Sequence, residues 1–311
     1  MEPLPDAAAA SKSPRVSVII PTYNRAADLG RCLDSLVAQT FKDFEVLVCD
    51  DGSTDESAMV VERYKGRLDL SYHWARNFGG PARPRNSGVQ LARGMYVAFL
   101  DSDDWWSPRK LAESVQRLDA DADVVYHDLW IARSPRQRVF WRRAHTRPLV
   151  VPVFRDLLLN GNAICNSSVV LRRELMGQVG GFSEDPALIA WEDYDAWLRI
   201  SKITERFERI EEPLGYYWSG GANLSSPRRL ISNLARFREM YGATGRNTPE
   251  SSLPAWYHYI LGLSHYQLGA YSIVPTHMRR ALSGRLPIAK RAKAAVTIVK
   301  SSLFVVLAAV R

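Results

Sequence analysis

Apolar and polar positions change period regularly along the first part of the chain. Residues 16–21 (VSVIIP) form an unbroken apolar run closed by proline, which predicts a strand covered on both faces. Residues 26–39 then place Leu29, Leu33, Leu36 and Val37 along one side of a helix. A second apolar run, 44–49 (FEVLVC), precedes the turn-rich stretch 50–55 and a helical 56–65. Residues 70–74 predict a third strand, 84–93 a helix and 95–100 (MYVAFL) a fourth strand. Strands alternating with helices at this spacing imply βαβ units, an α/β class and a mostly parallel sheet. Further on the pattern loosens: 124–131, 167–171 and 213–218 predict strands, 190–200 a helix, and 227–311 helix throughout.

Ligands of such sheets bind beyond the carboxyl ends of the strands. Three polar clusters fall there: Thr22-Tyr23-Asn24-Arg25, Asp50-Asp51-Gly52-Ser53 and Asp101-Ser102-Asp103-Asp104. One parallel sheet would bring them to one rim. Carboxylates crowded after a buried strand repel one another unless a cation neutralises them, and hard divalent ions take such oxygen ligands together with phosphate. The same residues also suit an acidic turn ahead of a helix starting near Pro108. Asp51 suits hydrogen bonds from a base or ribose, while Ser53 or Thr54 suits capping of the next helix. Arg85 and Asn86 could meet diphosphate charge; Arg83 reads as a solvated surface residue.

Composition narrows the partners. Three scattered cysteines, Cys32, Cys49 and Cys165, give no disulfide framework and no zinc-like spacing. Residues 1–14 lack the apolar core of a signal peptide and read as a flexible leader. The net charge of +8 lies entirely at one end: residues 251–311 hold no acid and eight basic residues. That balance leaves residues 1–250 electrically neutral. A dehydrogenase reading fails for want of GxGxxG after residues 16–20, and a nucleotidyltransferase would need a glycine-rich basic loop where PTYNR stands.

In order, VSVIIPTYNR, CLDSLVAQTF, FEVLVCDDGSTD, RNSGVQLARGMYVAFLDSDD and WEDYDAWLRI resemble family 2 glycosyltransferases of the GT-A fold. The resemblance covers residues 15–226 and implies a Rossmann-like nucleotide-diphospho-sugar transferase domain, with 227–311 as a helical C-terminal extension. It implies inverting transfer from a nucleotide-sugar, UDP by default, assisted by Mg²⁺ or Mn²⁺. By position, Pro21, Thr22, Tyr23, Arg25, Asp51, Arg85, Asp101 and Ser102 fall to the donor, Asp103 and Asp101 to the metal, and Asp193, with Glu192 beside it, to catalysis as the base. The family's late histidine is replaced by Gly220. A catalytically impaired scaffold of the same fold is therefore the alternative reading.

The tail carries a second expectation. Lys293, Thr297 and Lys300 share one helical face, and Val296, Val299, Leu303, Val306 and Val310 another. Preceded by Arg285, Lys290 and Arg291, this reads as a basic amphipathic helix lying on an anionic membrane surface, or as one packed on the protein or between copies of the chain. Nucleic acid fits poorly, because the basic residues lead into an aliphatic helix instead of alternating with aromatics. The resemblance implies a glycan or lipid-linked acceptor and a cytoplasmic enzyme peripheral to the inner face of a bacterial membrane.

Overall fold

The computed structural model describes residues 13–134, 137, 139–140, 142–144, 146–221, 225–242 and 253–309. The first half runs β1 (Val16–Thr22), α1 (Ala26–Val37), β2 (Phe44–Asp50), α2 (Ser57–Glu62), β3 (Leu70–Trp74), α3 (Ala82–Leu91), β4 (Tyr96–Phe99) and β5 (Trp105–Trp106). There follow α4 (Lys110–Ala120), β6 (Val124–His127), β7 (Leu129–Ala132), β8 (Arg143–Ala144), α5 (Val153–Asn160), β9 (Val170–Arg172) and α6 (Arg173–Gln178). The last third holds α7 (Glu192–Ile200), β10 (Phe207–Ile210), β11 (Gly215–Trp218), α8 (Pro227–Tyr241), α9 (Ala255–Gln267), α10 (Val274–Ser283) and α11 (Ile288–Ala309).

A seven-stranded sheet in the order β10-β6-β9-β4-β1-β2-β3 forms the centre. β1 and β2 are buried at every position, as their largely apolar runs predict, and the polar Ser17 is buried by donating to Glu45 on the neighbouring strand (2.6 Å). All neighbours pair in parallel except β9, which runs antiparallel to both β4 and β6. Crossover helices cover both faces, with separate apolar clusters on each side. A second sheet, β5-β11-β7-β8, stands beside it.

Two of the expected strands are corrected. The run 124–131 is not one strand but two, β6 and β7, which belong to different sheets. The break comes at Asp128, a buried carboxylate that accepts hydrogen bonds from the Thr146 hydroxyl (2.6 Å) and Arg209 (3.0 Å). Such a group cannot continue an apolar ladder. The run 167–171 begins instead as a 3₁₀ turn, Asn166–Ser168, and only then enters β9. β10 was not expected, because its FERI sequence is an edge strand with half-exposed positions.

The helical region is continuous with the sheet's core. Leu234 and Phe237 of α8 and Trp256, Tyr257 and Leu261 of α9 join the same apolar cluster as Phe99, Phe182 and Trp197. α10 and α11 build a smaller cluster of their own on α9.

Candidate active site

The loops after β1 and β2 are locked together by backbone-to-side-chain bonds. Asn24, at φ 50°, donates its N–H to Ser53 Oγ (2.8 Å), and its Oδ1 accepts the Thr54 N–H (2.8 Å). Asp55 accepts the N–H of Ala26 (2.9 Å). Ser53 and Thr54 thus tie two loops together, and the N–H that opens α2, of Ser57, is received instead by Asp55 (3.0 Å). Gly52, at φ 86°, turns the chain so tightly that a Cβ would lie 2.6 Å from the Asn77 nitrogen. The turn aims Asp51 inward, where its carboxylate accepts the N–H groups of Phe78 (3.0 Å) and Gly79 (3.2 Å). Burial raises its pKa above the usual carboxylate range despite those donors. Tyr23 projects from the neighbouring loop, 48% exposed.

After β4 the three carboxylates separate. Asp101 receives Arg85 Nη2 at 2.6 Å, and the same guanidinium reaches Glu192 at 2.5 Å through Nη1. Arg85 and Glu192 side chains are each only 4% exposed. Burial opposes the arginine's charge, yet its two carboxylate partners hold its pKa above the ordinary value. Arg85, which stands in α3 and precedes Glu192 by 107 residues, thus ties the turn after β4 to the start of α7. Asp104 turns into the protein and accepts the Trp218 N–H at 2.7 Å. Asp103 stays at the cleft edge, 3.5 Å from Arg25 Nη2. Burial first, and the charge of Asp101 second, push its pKa up to about 6. A carboxylate so placed is one a cation would stabilise. Among the described residues no three His, Cys, Asp or Glu side chains group as a metal cage.

Asp193 lies in the first turn of α7, where its pKa is pushed up to about 7 by burial and by the charge of Glu192, against the pull of Arg85. The cleft has a volume of about 800 Å³. The residues assigned to donor, metal and catalysis all line it: Pro21, Thr22, Tyr23, Arg25, Asp51, Arg85, Asp101, Ser102, Asp103, Glu192 and Asp193. Not all of the polar neighbours join them. Asn86 clamps the loop at residue 182 by accepting the Phe182 N–H (2.8 Å) and donating to its carbonyl (2.9 Å). Arg83 pairs with Glu184 (2.9 Å) at the surface.

Some residues of the cleft carried no sequence signal. Asn166, whose amide lies 3.4 Å from Asp101 Oδ1, sits in an unpatterned polar turn. Tyr217 lines the wall from β11, and burial raises its hydroxyl's pKa. Alternation along GYYW could have assigned it to the face opposite Tyr216. The stretch expected to carry a histidine starts at Trp218, and residues 222–224 lie outside the described residues. At Gly220 a Cβ would meet Trp218 Cζ2 at 2.4 Å, so the indole occupies the space a side chain would need.

Comparison with known proteins agrees with this architecture. The sequence matches glycosyl transferase family 2 over residues 17–179. An uncharacterised glycosyltransferase of Nostoc sp. is 32% identical over 218 residues, 67% of this chain and 66% of its own length. The amylovoran biosynthesis glycosyltransferase AmsB of Erwinia amylovora is 33% identical over 214 residues, 65% of this chain and 68% of its own. The chain thus spans about two thirds of the length of these relatives. Among solved structures, Staphylococcus aureus TarS 1–349 in complex with UDP-GlcNAc superposes with a TM-score of 0.59, at 22% identity, covering 92% of this chain and 89% of that one. The mannosyltransferase PcManGT of Pyrobaculum calidifontis, in complex with GDP-Man and Mn²⁺, gives 0.55 at 20% identity, covering 97% and 90%. These share the GT-A fold.

Proposed function

The chain belongs to glycosyl transferase family 2, and from that membership we propose an inverting transfer of a sugar from a nucleotide-sugar, with a UDP-sugar as the first choice, to a hydroxyl of a glycan or lipid-linked acceptor. The observation that carries this reading is the meeting of Asp51, Asp103 and Asp193 in one cleft. Tyr23, Thr22 and Asp51 receive the nucleoside, and Ser102, Asp101 and Arg25 lie where the diphosphate would sit. Asp193, which lines the same cleft, takes the proton of the acceptor hydroxyl as the new bond forms to the sugar's anomeric carbon and the bond to the diphosphate breaks. A base facing the departing group from across the sugar is what inversion requires. A pKa near neutrality suits that task. Arg85 and Glu192 act as positioning residues, fixing the start of α7 against the turn after β4.

A divalent ion held by Asp103, with Asp101 alongside, would supply Lewis-acid stabilisation of the leaving diphosphate. PcManGT binds Mn²⁺ with its donor, which favours this assignment. The setting we propose is the inner face of a bacterial cell membrane; the relatives from Nostoc sp. and Erwinia amylovora, the latter an amylovoran biosynthesis glycosyltransferase, support a bacterial glycan-building role. The filled space at Gly220 favours a second reading, a scaffold that keeps the fold without turnover.

Thermal stabilisation by a panel of UDP-, GDP- and TDP-sugars, with and without Mn²⁺, tests the first reading. Ligand at 100 times its Kd adds about 2.7 kcal/mol to apparent stability. No stabilisation by any donor with metal present would overturn it. Donor binding without transfer to any acceptor would favour the scaffold.

A further inference from the structure

Helix α11 buries the wrong side. Its inner face, against α9 and α10, is Ala294, Thr297, Ile298 and Ser301, with Ser301 fully covered. Thr297 and Ser301 satisfy their hydroxyls within the helix, on the carbonyls of Lys293 (2.7 Å) and Ile298 (2.9 Å). Ala294 and Ile298 apart, the larger apolar side chains are exposed, and from Leu303 to Leu307 all are, Phe304 (44%) and Val305 (40%) included. Val299, Leu303, Val306 and Leu307 are each between 58% and 61% exposed, and Val296 is 52%. At 3.6 residues per turn these positions, with Ile288, fall within an arc of about 100°. A helix that only needed to pack on its own domain would present that arc inward.

What covers the stripe follows from charge. Lys293 and Lys300 flank one edge of it and Arg291 the other, and no acidic residue occurs anywhere from 251 to 311. A second copy of the chain docking on the same stripe would set these cations against their own kind. An anionic surface with an apolar interior matches both features at once, since the flanking amines reach headgroups while the stripe enters the acyl boundary. The helix does not span: among the described residues no helix is long and apolar enough to cross a membrane.

We propose that the outward face of α11 seats the protein flat on a bilayer rich in anionic phospholipid. This deepens the membrane setting in the proposed function and rests on it, but is independent of which sugar is moved. The anchor sits on α10 and α11, away from the cleft residues, so loss of docking and loss of donor binding can be scored separately.

The test is co-flotation of the full chain with vesicles of phosphatidylcholine alone and of phosphatidylcholine mixed with phosphatidylglycerol, at low and high salt. The expected result is flotation only with the anionic vesicles, weakened by salt. Leu303→Glu abolishes it. Lys293→Gln and Lys300→Gln each lower partitioning about five-fold. Donor-induced thermal stabilisation serves as the folding control and stays unchanged in all three variants. Flotation unaffected by Leu303→Glu, absence of flotation by the folded wild-type chain, or a dimer in sedimentation that Leu303→Glu dissolves would each overturn the proposal.

Discussion

In the sheet region charge is driven inward, whereas on α11 aliphatic surface is turned outward. Arg85 and Glu192 are as covered as core leucines, although charged groups are rarely buried unless paired. Val299 and Leu303 stand open while Ser301 takes the buried place. Each inversion costs folding free energy that ordinary patterning would have saved. The two inversions differ in what they need. Arg85 finds both its carboxylate partners, Asp101 and Glu192, within the chain, so that fastening is formed before any ligand arrives. Among the described residues the exposed stripe has no partner, and it calls for one.

The largest effect that would sharpen this contrast belongs to Asp193. Replacing it by asparagine keeps the shape but removes the proton acceptor, and transfer should fall about 10²–10⁴-fold. Donor stabilisation and vesicle flotation should persist, the mirror image of Leu303→Glu. The wild-type rate should also rise with pH until the carboxylate form predominates, because burial and Glu192 raise the folded pKa to about 7. Below that value the rate gains about tenfold per pH unit. The Asp193→Asn variant should lack this limb, and a flat wild-type profile between pH 5 and pH 8 would argue for a different base.

Much of the sheet region was legible because period and burial agree there. VSVIIP and FEVLVC are short, β-branched and nearly all apolar, which reads as central strands, and the polar clusters after them then fall at one rim; that Ser17 and Glu45 are buried against each other (2.6 Å) is what the sequence hid. The reversal of β9 was not legible, since VLR reads the same in either direction and only its pairing with both β4 and β6 fixes it. The Arg85 bridge was hidden for a related reason: sequence shows an arginine near the donor loop, but not that Glu192 waits 107 positions later. On α11 the periodicity gave two faces without saying which was covered. Only packing decides that.

A somewhat smaller effect would break or keep the account of buried charge. Arg85→Met removes the cation between Asp101 and Glu192 and leaves both carboxylates uncompensated. Breaking a buried pair in this way costs about 3–5 kcal/mol. Urea unfolding should report the loss as a lower midpoint with an unchanged slope. A cost well under 1 kcal/mol would mean that water reaches the site, and the description of Arg85 as the fastening between α7 and the turn after β4 would fail.

The smallest effect tests the inversion on α11 directly, in lipid-free solution. Ser301 is fully covered, so Ser301→Leu forces extra volume against α9 and α10 and should cost about 1–3 kcal/mol. Leu303, two positions on, lies on the opposite side, and Leu303→Ser should change stability by no more than about 0.5 kcal/mol. By residue type alone the order would be reversed, since losing a leucine from a packed helix face costs several times more than gaining one. The pair therefore separates an outward stripe from an ordinary amphipathic helix without any membrane present. Equal costs, or a larger cost for Leu303→Ser, would place the aliphatic face against protein and remove the physical ground for docking on lipid.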